Sequence, residues 1–172
     1  MINYSIPGWM SHIELKWLHE KSKQMNSVLE IGSYKGRSTH ALCTGCRGAV
    51  YAIDSFMCSI DDNMNVIMPN PNILYEEFMK NVGHFNNLKV LKMDSIQASK
   101  LFEPKSIDMI FIDGDHSKQG VINDINAWLP ICKKLLCGHD LIWPTSGVEP
   151  ALKELDINYT SAVDSIWTYE IN

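Results

Sequence analysis

No apolar run in this sequence approaches the roughly 20 residues that a membrane-spanning helix needs, so no membrane partner is expected. Clusters of Lys and Arg are also missing. Fifteen basic residues face 20 acidic ones, a formal net charge of −5. That balance argues against nucleic acid as a partner, which requires a basic face. Internal repeats and low-complexity tracts are absent, which excludes solenoids and tail-like segments. The opening residues, Met1-Ile-Asn-Tyr-Ser-Ile-Pro-Gly8, have no basic n-region and no transit-peptide character. Cysteine is sparse and odd in number, at five. An odd set in a chain of this size makes no disulfide framework, so reduced thiols and a cytoplasmic setting are expected. Cys43 and Cys46 have the spacing of a redox pair. They fall near the C-terminal end of a predicted helix, where the dipole disfavours a thiolate, so a structural role is expected.

What is present reads as an ordinary globular chain. Apolar residues make up 45% of the 172 and charged residues 20%. The length suits one domain, with an N-terminal helical segment over residues 1–25 and a core over 26–172. Ser11-His-Ile-Glu14 reads as a capping box, with Met10 and Leu15 spaced as a hydrophobic staple. Short apolar strands are predicted at 27–31, 49–53, 88–93, 107–112 and 135–142. Helices are predicted at about 36–43, 74–82, 95–101, 121–132 (kinked by Pro130) and 148–155. Residues 157–163 and 165–171 read as a hairpin turning at Asp164. Strands alternating with helices make an α/β fold: a mostly parallel seven-stranded sheet with an antiparallel C-terminal hairpin. In such sheets ligands bind at the carboxyl ends of the strands.

The first predicted strand runs into Glu30-Ile-Gly32-Ser33-Tyr34-Lys-Gly36-Arg-Ser38. A dinucleotide fingerprint would need glycine where Tyr34 and Arg37 stand, and Tyr34 would obstruct a pyrophosphate. A nicotinamide oxidoreductase is therefore disfavoured. The loop suits a ligand without phosphate there, such as S-adenosylmethionine, whose carboxylate can take loop N–H groups or the Ser38 hydroxyl. Asp54 lies 22 residues after Gly32, close to the spacing at which an acid meets ribose hydroxyls. Asp94-Ser95, Asp113-Gly-Asp115-His116 and His139-Asp140 put further acids at later strand ends. Any one of these could cap a helix, and Asp115 could cap the helix that follows it.

Val28-Leu-Glu-Ile-Gly-Ser-Tyr-Lys-Gly-Arg-Ser-Thr39 resembles the first motif of class I S-adenosylmethionine-dependent methyltransferases. Phe111-Ile-Asp-Gly-Asp-His-Ser117, His139-Asp140 and the closing Ile166-Trp167 strand resemble methyltransferase family 24. The Gly-x-Tyr-x-Gly-x-Ser form is similar to catechol and caffeoyl-CoA O-methyltransferases. The resemblance spans nearly the whole chain from Gly8-Trp-Met onward. It implies a Rossmann-like three-layer sandwich with S-adenosylmethionine as cofactor. Glu30, Gly32, Ser33, Tyr34, Gly36 and Ser38 would lie at its methionine end and Asp54 at its ribose. Ser55, Phe56, Asp94 and Ser95 would lie near the adenine, with Asp113 in the same pocket.

In catechol-type relatives an Asp on the fourth strand and an acid–amide pair after the fifth hold a divalent cation. Asp113 matches the first position, and His139 and Asp140 fall near the pair. The implied metal set is Asp113, His139 and Asp140, for Mg²⁺ or Mn²⁺. Mg²⁺ prefers oxygen ligands, so a histidine in the set points toward Mn²⁺, Zn²⁺ or no metal. His116, standing where relatives place a lysine, and His139 are the candidate catalytic bases. One departure is the missing Pro-Gly-Gly turn, replaced by Lys133-Lys-Leu-Leu136. The implied reaction is O-methylation of a small hydroxylated acceptor, a sugar or natural-product intermediate. Metal-independent N-methylation and a non-catalytic S-adenosylmethionine-binding module remain open. Trp143 would line the acceptor site, and the long irregular stretch over 56–72 would be its lid. His12, His19, His40 and His84 read as surface or helix residues. A homodimer is compatible with the sequence but not encoded in it.

Overall fold

The computed structural model describes residues 1–57, 59–60, 66–67 and 70–171. Its elements are α1 (His12–Ser22), β1 (Ser27–Ile31), α2 (Arg37–Gly45), β2 (Ala49–Asp54), β3 (Ser59–Ile60), β4 (Val66–Ile67), α3 (Pro71–Val82) and β5 (Leu88–Lys92). They continue with α4 (Ser95–Ser99), β6 (Ile107–Ile112), α5 (Lys118–Trp128), β7 (Cys132–Gly138), α6 (Val148–Glu154), β8 (Thr160–Val163) and β9 (Ile166–Glu170).

Seven strands join in the order β5-β2-β1-β6-β7-β9-β8. The first five run parallel, and β9 lies antiparallel to both β7 and β8. This is the sheet expected from the sequence, with the hairpin turning at Asp164, whose φ of 44° is left-handed. β6 shows why the order holds. All six of its residues are buried. Met109 and Phe111 pack with Leu15, Leu18 and Leu42 of α1 and α2, while Ile110 and Ile112 pack with Ile125, Trp128 and Leu152 of α5 and α6. A strand covered on both faces has no polar side to present to water. Each such side chain contributes about 1.5–3 kcal/mol on burial.

Some boundaries differ from the sequence reading. α3 begins at Pro71 rather than near Leu74, because the Asn70 side chain caps it through the Asn72 N–H (3.0 Å) and proline is favoured in the first turn. α5 begins after its cap, Ser117, and stops at Trp128. Pro130 has no N–H with which to extend the ladder. Cys132, expected on that helix, instead opens β7, and the strand stops at Gly138. His139 and Asp140 therefore stand just beyond a strand end rather than within it. Of the irregular lid expected over 56–72, residues 58, 61–65 and 68–69 lie outside the described residues; in the rest β3 and β4 pair antiparallel and Pro71 opens α3, so the stretch is not wholly irregular. Cys43 and Cys46 are buried free thiols, as expected, and burial drives both thiol pKa values up. No helix among the described residues is long and apolar enough to cross a membrane.

Candidate active site

From β1 the chain moves out to β2 and β5, then returns to pair β6 on the other side of β1. The crevice at this reversal is where open α/β sheets bind ligands. Gly32 sits there. Its φ is 83°, and a Cβ would collide with the carbonyl of Asp113. Glycine at this position thus allows the β1 loop to close against the end of β6. Gly36 has a different neighbour from the one expected. Its missing side chain faces Val82 and Phe78, at 3.0 and 3.3 Å from a built Cβ, so it makes room for α3 rather than for a ligand.

Asp54 ties the crevice together. Its Oδ2 accepts the Tyr34 N–H (2.8 Å) and its Oδ1 accepts the Phe56 N–H (2.7 Å). Both donors are non-glycine residues with left-handed backbone, φ 46° and 56°. Burial raises the Asp54 pKa, and the backbone N–H groups temper the rise. Beneath the loop, Glu30 is fully buried and accepts a hydrogen bond from Thr39 at Oε2. Its Oε1 and the Ser33 hydroxyl have no hydrogen-bond partner among the described residues. Burial raises the Glu30 pKa.

A cavity of about 550 Å³ opens at these strand ends. Of the residues expected around a cofactor, Gly32, Tyr34, Asp54, Ser55, Asp94, Ser95 and Asp113 line it. Glu30, Ser33, Gly36, Ser38 and Phe56 do not; they stand behind its wall. The Phe56 ring packs with Tyr75 and Phe78. Asp94 both lines the cavity and caps α4, accepting the Gln97 N–H at 3.0 Å. Asp115 does not cap α5. It accepts the Ser117 N–H (2.8 Å) and lines the cavity, while Ser117 is the cap.

A second cavity of about 260 Å³ adjoins the first, lined by Trp9, Met10, Gly32, Tyr34, Asp113, His116, His139, Asp140 and Trp143. Five of these, Trp9, Gly32, Tyr34, Asp113 and His116, also line the larger cavity. The His116 Nδ1 lies 2.9 Å from Asp140 Oδ2, and its ring sits edge-on to Trp143. Burial would lower its pKa, but the bond to Asp140 and the charge of Asp113 prevail and raise it. His139 Nδ1 is 3.1 Å from Asp140 Oδ1 and 3.6 Å from Asp113 Oδ1, and its Nε2 is 2.9 Å from Glu14 Oε1. Burial again opposes the charge, and the three surrounding carboxylates outweigh it, raising the pKa well above the usual imidazole range. Burial raises the Asp113 pKa, with His139 opposing. Asp140 is held low against its burial by its bonds to both histidines.

Residues 29–140 match the model of a family described as methyltransferase domain, well over half of the chain. The chain belongs to that methyltransferase family. No curated protein matches it by sequence. Among solved structures, the methyltransferase is similar in fold to the O-methyltransferase of Bacillus cereus in complex with SAH, at 18% identity and TM-score 0.64, covering 96% of this chain and 84% of that one. It is similar to the SAH-bound methyltransferase PaMTH1 of Podospora anserina, at 16% and 0.66, covering 95% and 80%. It is also similar to TomG, the O-methyltransferase of Streptomyces achromogenes involved in tomaymycin synthesis, in complex with SAM, at 13% and 0.66, covering 95% and 82%.

Two residues that line these cavities, Trp9 and Asp124, and one that holds the segment carrying Trp9, Arg37, were not singled out from sequence. Trp9 reaches both cavities from the N-terminal segment and meets the Tyr34 ring at 5.1 Å between centroids. Arg37 points away from the crevice and holds the carbonyls of Tyr4, Ile6 and Met10 at 2.8, 2.5 and 3.0 Å. Asp124 lines the larger cavity and accepts a hydrogen bond from the Ser95 hydroxyl. Burial pushes its pKa up to about 6. A lone aspartate at an otherwise apolar helical spacing was the available signal for Asp124.

Proposed function

We propose that this methyltransferase takes its methyl group from S-adenosylmethionine in the larger cavity. The acceptor is a hydroxyl of a small molecule in the smaller cavity, with a divalent cation, Mg²⁺ or Mn²⁺, assisting. One observation carries the reading: the two cavities share a wall of Trp9, Gly32, Tyr34, Asp113 and His116, which allows a donor in one to meet an acceptor in the other. An acidic lining without a phosphate-binding glycine pattern suits a ligand bearing a sulfonium and an ammonium. Relatives of the same fold crystallised with SAM or SAH support this donor.

S-adenosylmethionine supplies an already activated methyl group, so the protein's work is to hold, orient and deprotonate. Asp54 presents a carboxylate fixed by two backbone donors. His116 is the base: with Nδ1–H donated to Asp140, Nε2 is the nitrogen left to receive the acceptor proton. Asp113, His139 Nδ1 and Asp140 offer ligand atoms within 4.8 Å of one another, a mixed oxygen–nitrogen set that fits Mn²⁺ better than Mg²⁺. Bound there, the cation would lower the pKa of an acceptor hydroxyl.

Calorimetry with S-adenosylhomocysteine and with NAD tests the donor, and binding of NAD alone would overturn it. Transfer of a labelled methyl group to panels of phenols and sugars, with Mn²⁺ or with EDTA, tests the rest. Loss of transfer in EDTA is expected. The contacts of His139 favour a second reading, because a protonated ring among three carboxylates already supplies positive charge. On that reading transfer, to oxygen or nitrogen, survives the chelator.

A further inference from the structure

We propose that Glu14, on the N-terminal helix α1, is a positioning residue for this site, holding the His139 ring so that Nδ1 faces Asp113 and Asp140 as a cation ligand. The inference rests on the cation reading above and assigns a residue to it from outside the crevice.

A capping box needs one oxygen of its glutamate. Here Oε2 fills that role, accepting the Ser11 N–H at 2.7 Å. Oε1 is not needed for the cap. It lies 2.9 Å from His139 Nε2 and also accepts the Ser165 N–H at 3.0 Å. A first-turn glutamate is normally solvated, whereas this one is only 3% exposed. Burying a carboxylate costs free energy unless it is well bonded, and Glu14 is bonded on both oxygens.

The consequence for His139 is geometric. β7 ends at Gly138, and the histidine just beyond it keeps one backbone bond to the sheet, its N–H donating to the Ile112 carbonyl at 3.1 Å, which leaves the orientation of the ring to its side-chain partners. An imidazole is rigid, and its two nitrogens point to different sides. Fixing Nε2 on Glu14 fixes Nδ1 toward Asp140 Oδ1 (3.1 Å) and Asp113 Oδ1 (3.6 Å). A carboxylate accepting the remote N–H of a ligating histidine also makes the ligating nitrogen a better donor. The bonds that hold the Glu14 carboxylate come from the backbone N–H groups of Ser11 and Ser165, which do not depend on the Ser11 hydroxyl.

The test titrates Mn²⁺ into S-adenosylhomocysteine-loaded protein by calorimetry, comparing wild type with Glu14→Gln, Glu14→Asp and Ser11→Ala. Glu14→Gln keeps shape and loses charge; Glu14→Asp keeps charge and loses reach. Both are expected to weaken Mn²⁺ binding by roughly 10- to 100-fold, the usual effect of removing such an outer partner. Ser11→Ala disrupts the cap but leaves the bond to His139, and is expected to bind Mn²⁺ like wild type. S-adenosylhomocysteine affinity should be the same in all four proteins. Wild-type Mn²⁺ affinity in Glu14→Gln, or equal weakening in Ser11→Ala, would reduce Glu14 to a helix cap. Parallel loss of both ligands in both Glu14 variants would assign it a general structural role and overturn the proposal. Wild-type protein that binds S-adenosylhomocysteine but no Mn²⁺ would remove the cation reading, and the role of Glu14 with it.

Discussion

Three non-glycine residues, Tyr34, Phe56 and Asp140, adopt left-handed backbone just after β1, β2 and β7, at φ values of 46°, 56° and 59°. Each such position costs on the order of 1–3 kcal/mol, and it persists where surrounding bonds over-determine it. The Asp54 carboxylate supplies those bonds for the first two. Gly32 bears the opposite constraint, since any side chain there strikes Asp113. Gly32→Ala is expected to lower stability by about 2–4 kcal/mol in urea unfolding and to abolish S-adenosylhomocysteine binding in calorimetry. Asp124 carries a pH signature. Its folded-state pKa is raised to about 6 from 3.8, so the native state retains a proton that the unfolded chain releases. The resulting penalty is absent at low pH, grows as pH rises from about 4 through about 6, and levels off near ~3 kcal/mol. Asp124→Asn can keep the Ser95 bond without the charge. It should be more stable than wild type at pH 8, by up to that amount, and equal to it at pH 4. Urea midpoints at the two pH values check this, and a less stable variant at pH 8 would contradict it.

Between elements, Arg37 has the widest reach. It opens α2 and holds three carbonyls of residues 4–10, the segment that delivers Trp9 to both cavities. Sequence reading saw Arg37 only as bulk where a dinucleotide loop would have glycine. The structure shows why an arginine suits the position, since its fork of donors can reach several carbonyls at once. Arg37→Ala is expected to release that segment while leaving the sheet folded. The readouts are faster proteolysis within residues 1–10 and a change in Trp9 fluorescence, with a stability loss of about 1–3 kcal/mol. Protection from protease equal to wild type would show that other contacts hold the segment. α5 and β7 teach a related lesson. Residues 128–132 keep an apolar helical spacing that the local pattern cannot distinguish from a turn into a strand. Pro130 and pairing with β6 decided in favour of the strand.

For the molecule as a whole, ligand linkage gives the simplest test. S-adenosylhomocysteine at about 100 times its dissociation constant should stabilise the fold by ~2.7 kcal/mol, raising Tm by roughly 5–10 °C, with no rise from NAD at the same concentration. Differential scanning fluorimetry reads both, and a rise with NAD alone would count against the donor assignment. The strands, the capping box, the glycine loop and the acids at strand ends were legible in the sequence. These depend on side-chain alternation and turn chemistry, which act between residues close in the chain. Trp9 at the cavity mouth, Asp124 beside Ser95, and the Glu14 bond to a histidine 125 residues away were decided only by the tertiary structure. Such pairs meet because sheet order and helix packing bring distant segments together, and no local periodicity carries that information.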